Sequence, residues 1–478
     1  MDKFCTLSAT QLADLIKKGQ ASSEQVVAAH IEQIQKVNPH LNALVRNRFD
    51  AAMDEARQAD RLLSEKGPQA CPLFHGVPCT IKESFALVGM PNTSGLAARK
   101  KIVATEDATA VARLRRAGAI PMGVTNLPEL AMWMETDNRI YGRTNNPYDV
   151  KRIAGGSSGG EGAIIGAGGS PFGLGSDIGG SIRMPAFFNG IFGHKPTAGL
   201  VPNTGQFPHA ENEISGYATT GPMCRRAADL WPLVRTLAGP DGKDHGCVSI
   251  LLKDPDTVDL AGLRVVVIPG TGNIRVHPEL AAAQKKAAQI LEKAGAKITT
   301  ARLPLLKKSF LIWASMLSAV DSTPFGTTLG NGKPVRLAAE TAKWAIGASA
   351  HTLPALLLAA MERLPADKSA AKYVALGKEL RKDLLALLGD DGIILYPPYS
   401  RLAPRHHLPL LYFHHFVHTG IFNVMGFPAT ECPMGISPKG LPLGVQAVAA
   451  PGNDHLSVAA ALALEKANGG WIPPALAG

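Results

Sequence analysis

Apolar positions near the N-terminus recur with a helical period. Ser8-x-x-Gln11 has the form of a capping box, Leu12, Leu15 and Ile16 follow on one face, and Gly19 can stop the turn. The same pattern returns from Ser22-x-x-Gln25 through Val26, Val27, Ile31 and Ile34, predicting a second helix that ends near Asn38-Pro39. A third amphipathic stretch covers 49–63. Together they make an N-terminal helical layer over about residues 1–66.

From His75 the period shortens. Apolar runs at 77–81, 120–124, 263–268, 393–396 and 443–448 alternate with helical stretches at 108–117, 278–294 and 454–467. Such alternation predicts βαβ units. The expected fold class is α/β: a single large domain over 1–478, with a central mixed β-sheet covered by helices on both faces. Residues 305–385 break the alternation. Segments rich in Leu, Met and Trp at 310–317, 335–350 and 353–364 predict a helical cap region. Two readings stand for it, ordinary core helices or the lining of an apolar substrate tunnel that touches a membrane.

Charge changes the picture little. The net charge is +10, yet the basic clusters (99–101, 113–116, 307–308) are short and scattered, which argues against a nucleic-acid partner. Cysteines 5, 71, 79, 224, 247 and 432 lie far apart without C-x-x-C spacing, and no secretory signal precedes them. Reduced thiols and a cytoplasmic location are expected. No apolar run reaches the roughly 18 residues that a membrane-spanning helix needs.

Chemistry concentrates in 152–197, where Ser157 and Ser181 sit in glycine-rich turns. Ser181 follows Gly179-Gly180, and consecutive unhindered N–H groups can converge on one point, as an oxyanion hole requires. Asp177 and Arg183 flank that turn and can fix it through a salt bridge. Ser157 formally matches G-x-S-x-G, a weak signal in a run of Gly and Ser that would need an Asp/Glu and His relay. His194 and His209 are available, but nothing local nominates either. The helix expected over 160–165 makes a phosphate loop a rival, although no Lys follows the glycines as a Walker A motif demands. Upstream, Lys82 lies in the apolar run GVPCTIKESF. A lysine desolvated from its free value of about 10.4 towards roughly 7–8 can act as a base.

These stretches resemble the amidase signature family. GGSSGGEGA together with GSDIGGSIRMPA is a long match, Lys82 falls at the family's usual distance upstream, and agreement continues through Gly193-His194-Lys195-Pro196-Thr197 and the C-terminal GLPLGVQAV. MPNTSG, IYGRTNNPYD, IRMPAFFNGIFGHKP and LYPPYSRLAPRHH resemble most the fatty acid amide hydrolases of the second type. That branch usually carries an N-terminal membrane segment. None is read here, so a soluble relative is expected, with peripheral membrane contact left open.

The resemblance implies Ser181 as acylated nucleophile, Ser157 as proton-shuttling bridge on a cis peptide, and Lys82 as general base. It implies an oxyanion hole from Ile178, Gly179, Gly180 and Ser181, and a substrate-contacting Met132. It implies no cofactor and no metal, a small-molecule amide as substrate, and a homodimer as the assembly to test. The expected reaction is hydrolysis of fatty acyl or other apolar N-acyl amides through an acyl-enzyme. Aryl acylamides, carbamates (urethanes) and esters are alternatives for the same chemistry. An amidotransferase subunit and a non-catalytic binding protein on the same scaffold are the other readings.

Three further features each admit a chemical and a structural reading. His406, His407, His414, His415 and His418 could hold zinc or simply form a histidine-rich wall. Asp454 reads as the cap of the last helix. Cys79 reads as a small buried hydrophobe rather than a nucleophile.

Overall fold

The computed structural model of the chain describes residues 1–320, 323–363 and 369–478. Its strands are β1 (Leu44–Asn47), β2 (Val77–Lys82), β3 (Ala119–Thr125), β4 (Asp137–Asn138), β5 (Gly142–Arg143), β6 (Phe172–Asp177), β7 (Phe192–Lys195), β8 (Thr219–Cys224), β9 (Arg264–Val267), β10 (Lys297–Thr300), β11 (Gly392–Tyr396), β12 (Ala429–Ile436) and β13 (Pro442–Ala449). β4 and β5 form a small hairpin. The other eleven make one sheet in the order β1-β3-β2-β6-β8-β7-β12-β13-β11-β9-β10. β2 runs parallel to β3 and β6, and β9 runs parallel to β10 and β11, while the remaining neighbours pair antiparallel. This is a single α/β domain with a mixed sheet flanked by helices, as the alternating pattern predicts.

The first three helices also match their signals. α1 (Ala9–Lys17) begins with both halves of the Ser8/Gln11 capping box, and α2 (Ser23–Leu41) begins with the Ser22/Gln25 box. α3 spans Phe49–Lys66. α2 does not end at Pro39. It continues to Asn42, whose left-handed backbone (φ 49°) closes it while Asn42 N donates to Asn38 O at 2.8 Å. Asn38 then accepts from the N–H groups of Ala43 and Leu44, so its side chain holds the segment that the proline would otherwise release.

Strands read from apolar runs appear where expected. Those missed are β1, β4, β5, β6, β7, β8, β10 and β12, whose runs are short or interrupted by Gly, Pro or polar residues. β6 (FGLGSD) carries little apolar alternation because its glycines make room: a Cβ at Gly173 would lie 1.8 Å from Glu161 Oε2. In 305–385, helices cover Ser309–Ser318, Leu337–Ala345 and Leu353–Met361, and the 19-residue helix Ala370–Leu388 was not anticipated. The 335–350 segment ends early, before Gly347, whose φ of 74° leaves the helix. Leu364, the last residue of the expected 353–364 segment, lies outside the described residues.

β2 sets up the site by its alternation. Val77, Cys79 and Ile81 belong to the largest apolar cluster, so Thr80 and Lys82 face the opposite side of the sheet. Above them lies α5 (Gly159–Gly166), whose Ala163, Ile164 and Ile165 pack into a second cluster with α2 and α3.

Candidate active site

Lys82, at the end of β2, is fully buried and donates to Ser157 Oγ at 2.7 Å and to Ser176 Oγ at 2.9 Å. Burial pulls its ammonium down to about 7, against the opposing pull of the Asp177 carboxylate. A large share of this lysine is therefore neutral near neutral pH. Ser157 follows a cis Gly156–Ser157 peptide bond just before α5. Its loop is stitched to the second serine turn by Ser158 N, which donates to Ser181 O at 3.1 Å. The Ser181 hydroxyl makes no hydrogen bond among the described residues, so the structure brings Lys82 and Ser157 together but does not link Ser157 to Ser181.

The Ser181 turn joins β6 to α6 (Arg183–Phe188). The Asp177 carboxylate ties it: it accepts from the N–H groups of Gly180 (2.6 Å), Ile182 (3.1 Å) and Arg183 (3.4 Å), and from Arg183 Nε and Nη2 at 3.0 Å each. Arg183 has no exposure and spends its remaining donors on Thr419 O, Gln446 Oε1 and Asn423 Oδ1. Burial alone would raise the Asp177 carboxyl. The Arg183 guanidinium beside it instead holds it well below the usual carboxylate range. Gly180 has φ 115°, and a Cβ there would meet Thr419 Oγ1 at 1.9 Å, so only glycine fits.

Of the four backbone donors expected for an oxyanion hole, Gly180 N–H is taken by Asp177. Those of Ile178, Gly179 and Ser181 carry no hydrogen bond among the described residues. Thr419 Oγ1 donates to Gly179 O and Trp313 Nε1 to Ile178 O (3.1 Å), fixing the turn's carbonyls away from the free N–H groups.

A cavity of about 360 Å³ opens beside these groups. Ser157, Ser176, Asp177 and Ile178 form its polar end, and Met132, Phe207, Ile214, Leu317 and Phe325 much of the rest. Met132 also borders a second cavity of about 280 Å³. Sequence reasoning missed Ser176, although it lies inside the quoted GSDIGGS run. It also missed Thr419, Asn423 and Gln446, which arrive from more than 230 positions away.

The histidines do not converge. His406 Nδ1 pairs with Glu135 Oε1 (2.8 Å), His407 with Arg143, and His415 with Ser400 Oγ, while His418 is buried beside the Tyr396 ring. Among the described residues no group of three His, Cys, Asp or Glu side chains is arranged to hold a metal. Asp454 is not a cap. As the first residue of the helix Asp454–Asn468, it accepts from Thr197 N (2.8 Å), Thr197 Oγ1 and His194 Nε2 (3.2 Å), tying the helix to β7. Cys79 is buried in the apolar cluster.

The sequence-family model described as amidase matches residues 25–458. The chain is 47% identical over 485 residues to fatty-acid amide hydrolase 2-A of Danio rerio, covering 98% of this chain and 90% of that protein. It is 46% identical to fatty-acid amide hydrolase 2 of Homo sapiens, with 98% and 90% covered. Among solved structures, 6-aminohexanoate cyclic dimer hydrolase complexed with substrate superposes with a TM-score of 0.85 at 27% identity, over 100% of both chains.

Proposed function

The chain belongs to the amidase family and is an amide-hydrolysing serine hydrolase, and on that premise we propose that Ser181 is its nucleophile, Ser157 its proton relay and Lys82 its general base. The observation that carries this reading is the buried Lys82 Nζ, 2.7 Å from Ser157 Oγ, on a loop hydrogen-bonded to the Ser181 turn. A lysine in water is protonated at neutral pH and cannot accept a proton. Stripped of water, it can.

As Ser181 Oγ attacks the amide carbonyl carbon, its proton passes to Ser157 Oγ and that of Ser157 to Lys82. The carbonyl oxygen becomes an oxyanion, received by the free N–H groups of Ile178, Gly179 and Ser181. Gly180 supplies the positive-φ bend between them. Each such donor is worth about 3–4 kcal/mol to the transition state. Collapse breaks the C–N bond, and the relay runs backwards so that Ser157 protonates the leaving nitrogen. Water then attacks the Ser181 ester by the same path and releases the acid. The contact between Ser157 and Ser181 closes when substrate is bound, a tightening common among catalytic hydrogen bonds.

The substrate we propose is an N-acyl amide with a long apolar acyl chain. Leu317, Phe325, Phe207 and Ile214 give the cavity an apolar body that fits such a chain. The names of the two vertebrate relatives point the same way. The test is a series of N-acyl amides of rising chain length, with intact-mass detection of the enzyme during turnover. We expect kcat/KM to rise with chain length and a mass increment equal to the acyl group. Equal rates for all lengths, or turnover without any covalent species in burst experiments, would count against the reading.

A further inference from the structure

Two buried carboxyls lie near Lys82, and their surroundings differ. Asp177 accepts six N–H donors, two of them from a guanidinium, and is an anion. Glu161, in the first turn of α5, is equally buried but meets only hydroxyls: Thr80 Oγ1 at 2.6 Å and Thr125 Oγ1 at 2.8 Å. Thr80 shares a strand face with Lys82, and Thr125 is the register partner of Lys82 on β3. The carboxyl occupies the space that a side chain at Gly173 would fill, so the sheet is built around it.

We propose that Glu161 is held as a neutral carboxylic acid and acts as a positioning residue that keeps Lys82 neutral. The hydrogen-bond count supports a proton there. Thr80 donates to one oxygen. The other, as O–H, donates to Thr125 Oγ1, whose own hydrogen is then free for Ile81 O, within a long reach of 3.5 Å. Every polar atom in this chain has a partner without any charge. An ionised Glu161 would instead sit in a dry site with two hydroxyl donors and no guanidinium or backbone N–H. Its only nearby cation would be Lys82, and that attraction would hold a proton on the base.

The charged and titratable groups facing this carboxyl are few. From β2 comes Lys82, while the Cys79 thiol, on the opposite face of the strand, is pushed by burial well above its usual value. Asp177 on β6 is the carboxylate whose charge acts on Lys82. Burial moves Glu161 up to about 8, with Thr80, Thr125 and Lys82 opposing it. Its place in GGSSGGEGA then follows: the same α5 turn that carries Ser157 at its start also delivers an uncharged neighbour to the base.

The inference rests on Lys82 being the base, and the tests separate the two. At atomic resolution the C–O bonds of Glu161 in the wild-type protein at pH 7 should be unequal, as in an acid. Infrared spectra of the same protein should show a carboxylic-acid carbonyl band that Glu161→Gln removes. In the pH profile of kcat/KM, Glu161→Gln should keep the acid-limb midpoint within about 0.3 unit of wild type. Glu161→Ala, which empties the site beneath the loop, should lower kcat at least about tenfold. Equal C–O bonds with no acid band, or a Glu161→Gln midpoint about one unit lower, would overturn the inference by showing an anion that had been stabilising protonated Lys82. If Glu161→Gln does not fold, the wild-type bond lengths decide. A failure of Lys82 as base would appear separately, as near-normal turnover by Lys82→Ala.

Discussion

The floor of the cavity and its helical wall are built on opposite terms. On the floor, Lys82, Asp177 and Arg183 have essentially no exposure, and the five Arg183 donor directions are all spent. The wall, drawn from 309–320 and 323–363, is partly open. Leu317 and Phe325 face the cavity, whereas Met361 and Ile346 (79% exposed) face outwards. Among the described residues, the hydrogen bond from Trp313 Nε1 to Ile178 O ties wall to floor. The proposed chemistry sits where every charged group is buried and bonded. Substrate choice falls to elements whose side chains can be exchanged without unbalancing a buried charge.

That contrast can be broken from the floor first. Ser181→Ala should reduce amide hydrolysis by at least about 10⁴-fold, read as steady-state turnover. Lys82→Ala and Ser157→Ala should each cost roughly 10²–10⁴-fold as lost general acid–base catalysis. Next comes stability. Arg183→Met strands the Asp177 carboxylate in a dry site, and urea unfolding should show a loss of about 3–5 kcal/mol. The wall should respond differently. Phe325→Ala should leave short-chain turnover nearly intact and raise KM for long acyl amides by roughly tenfold, since one or two lost apolar contacts are worth about 1–3 kcal/mol. Trp313→Phe, which removes only the link, should lower kcat by a few-fold, in keeping with about 1 kcal/mol for one hydrogen bond.

The pH profile sharpens the same point. As the proposed base Lys82 must be neutral, and burial has lowered it to about 7. Its productive form is therefore lost as pH falls through 7. kcat/KM should drop by about tenfold per unit below that point and level off above it. A limb near the ordinary lysine value would mean that water reaches the base.

Much of this floor could be read in the chain, and part could not. Ser157, Ser181, Lys82 and the Asp177/Arg183 pair stand in recognisable runs, because close backbone approach demands glycine beside them. The strands carrying them were harder. β6 is two-thirds glycine and polar residues, since Glu161 and Ser158 occupy the space that side chains at Gly173 and Gly175 would take. The clamp of Thr419, Asn423 and Gln446 left no local trace, as its partners meet only once β12, β13 and the helix Val417–Val424 are folded. Glu161 was visible as a letter in GGSSGGEGA, but only its placement among hydroxyls gives it a role.

The central claim is that Ser181 is acylated through a base kept neutral by burial. It is tested most directly by labelling the protein with a fluorophosphonate at several pH values and mapping the adduct by peptide mass spectrometry. We predict a single adduct on Ser181, lost in Ser181→Ala, strongly slowed in Lys82→Ala, and forming in the wild type with an acid limb near 7. Labelling on Ser157, or a labelling rate unaffected by Lys82→Ala, would contradict the account.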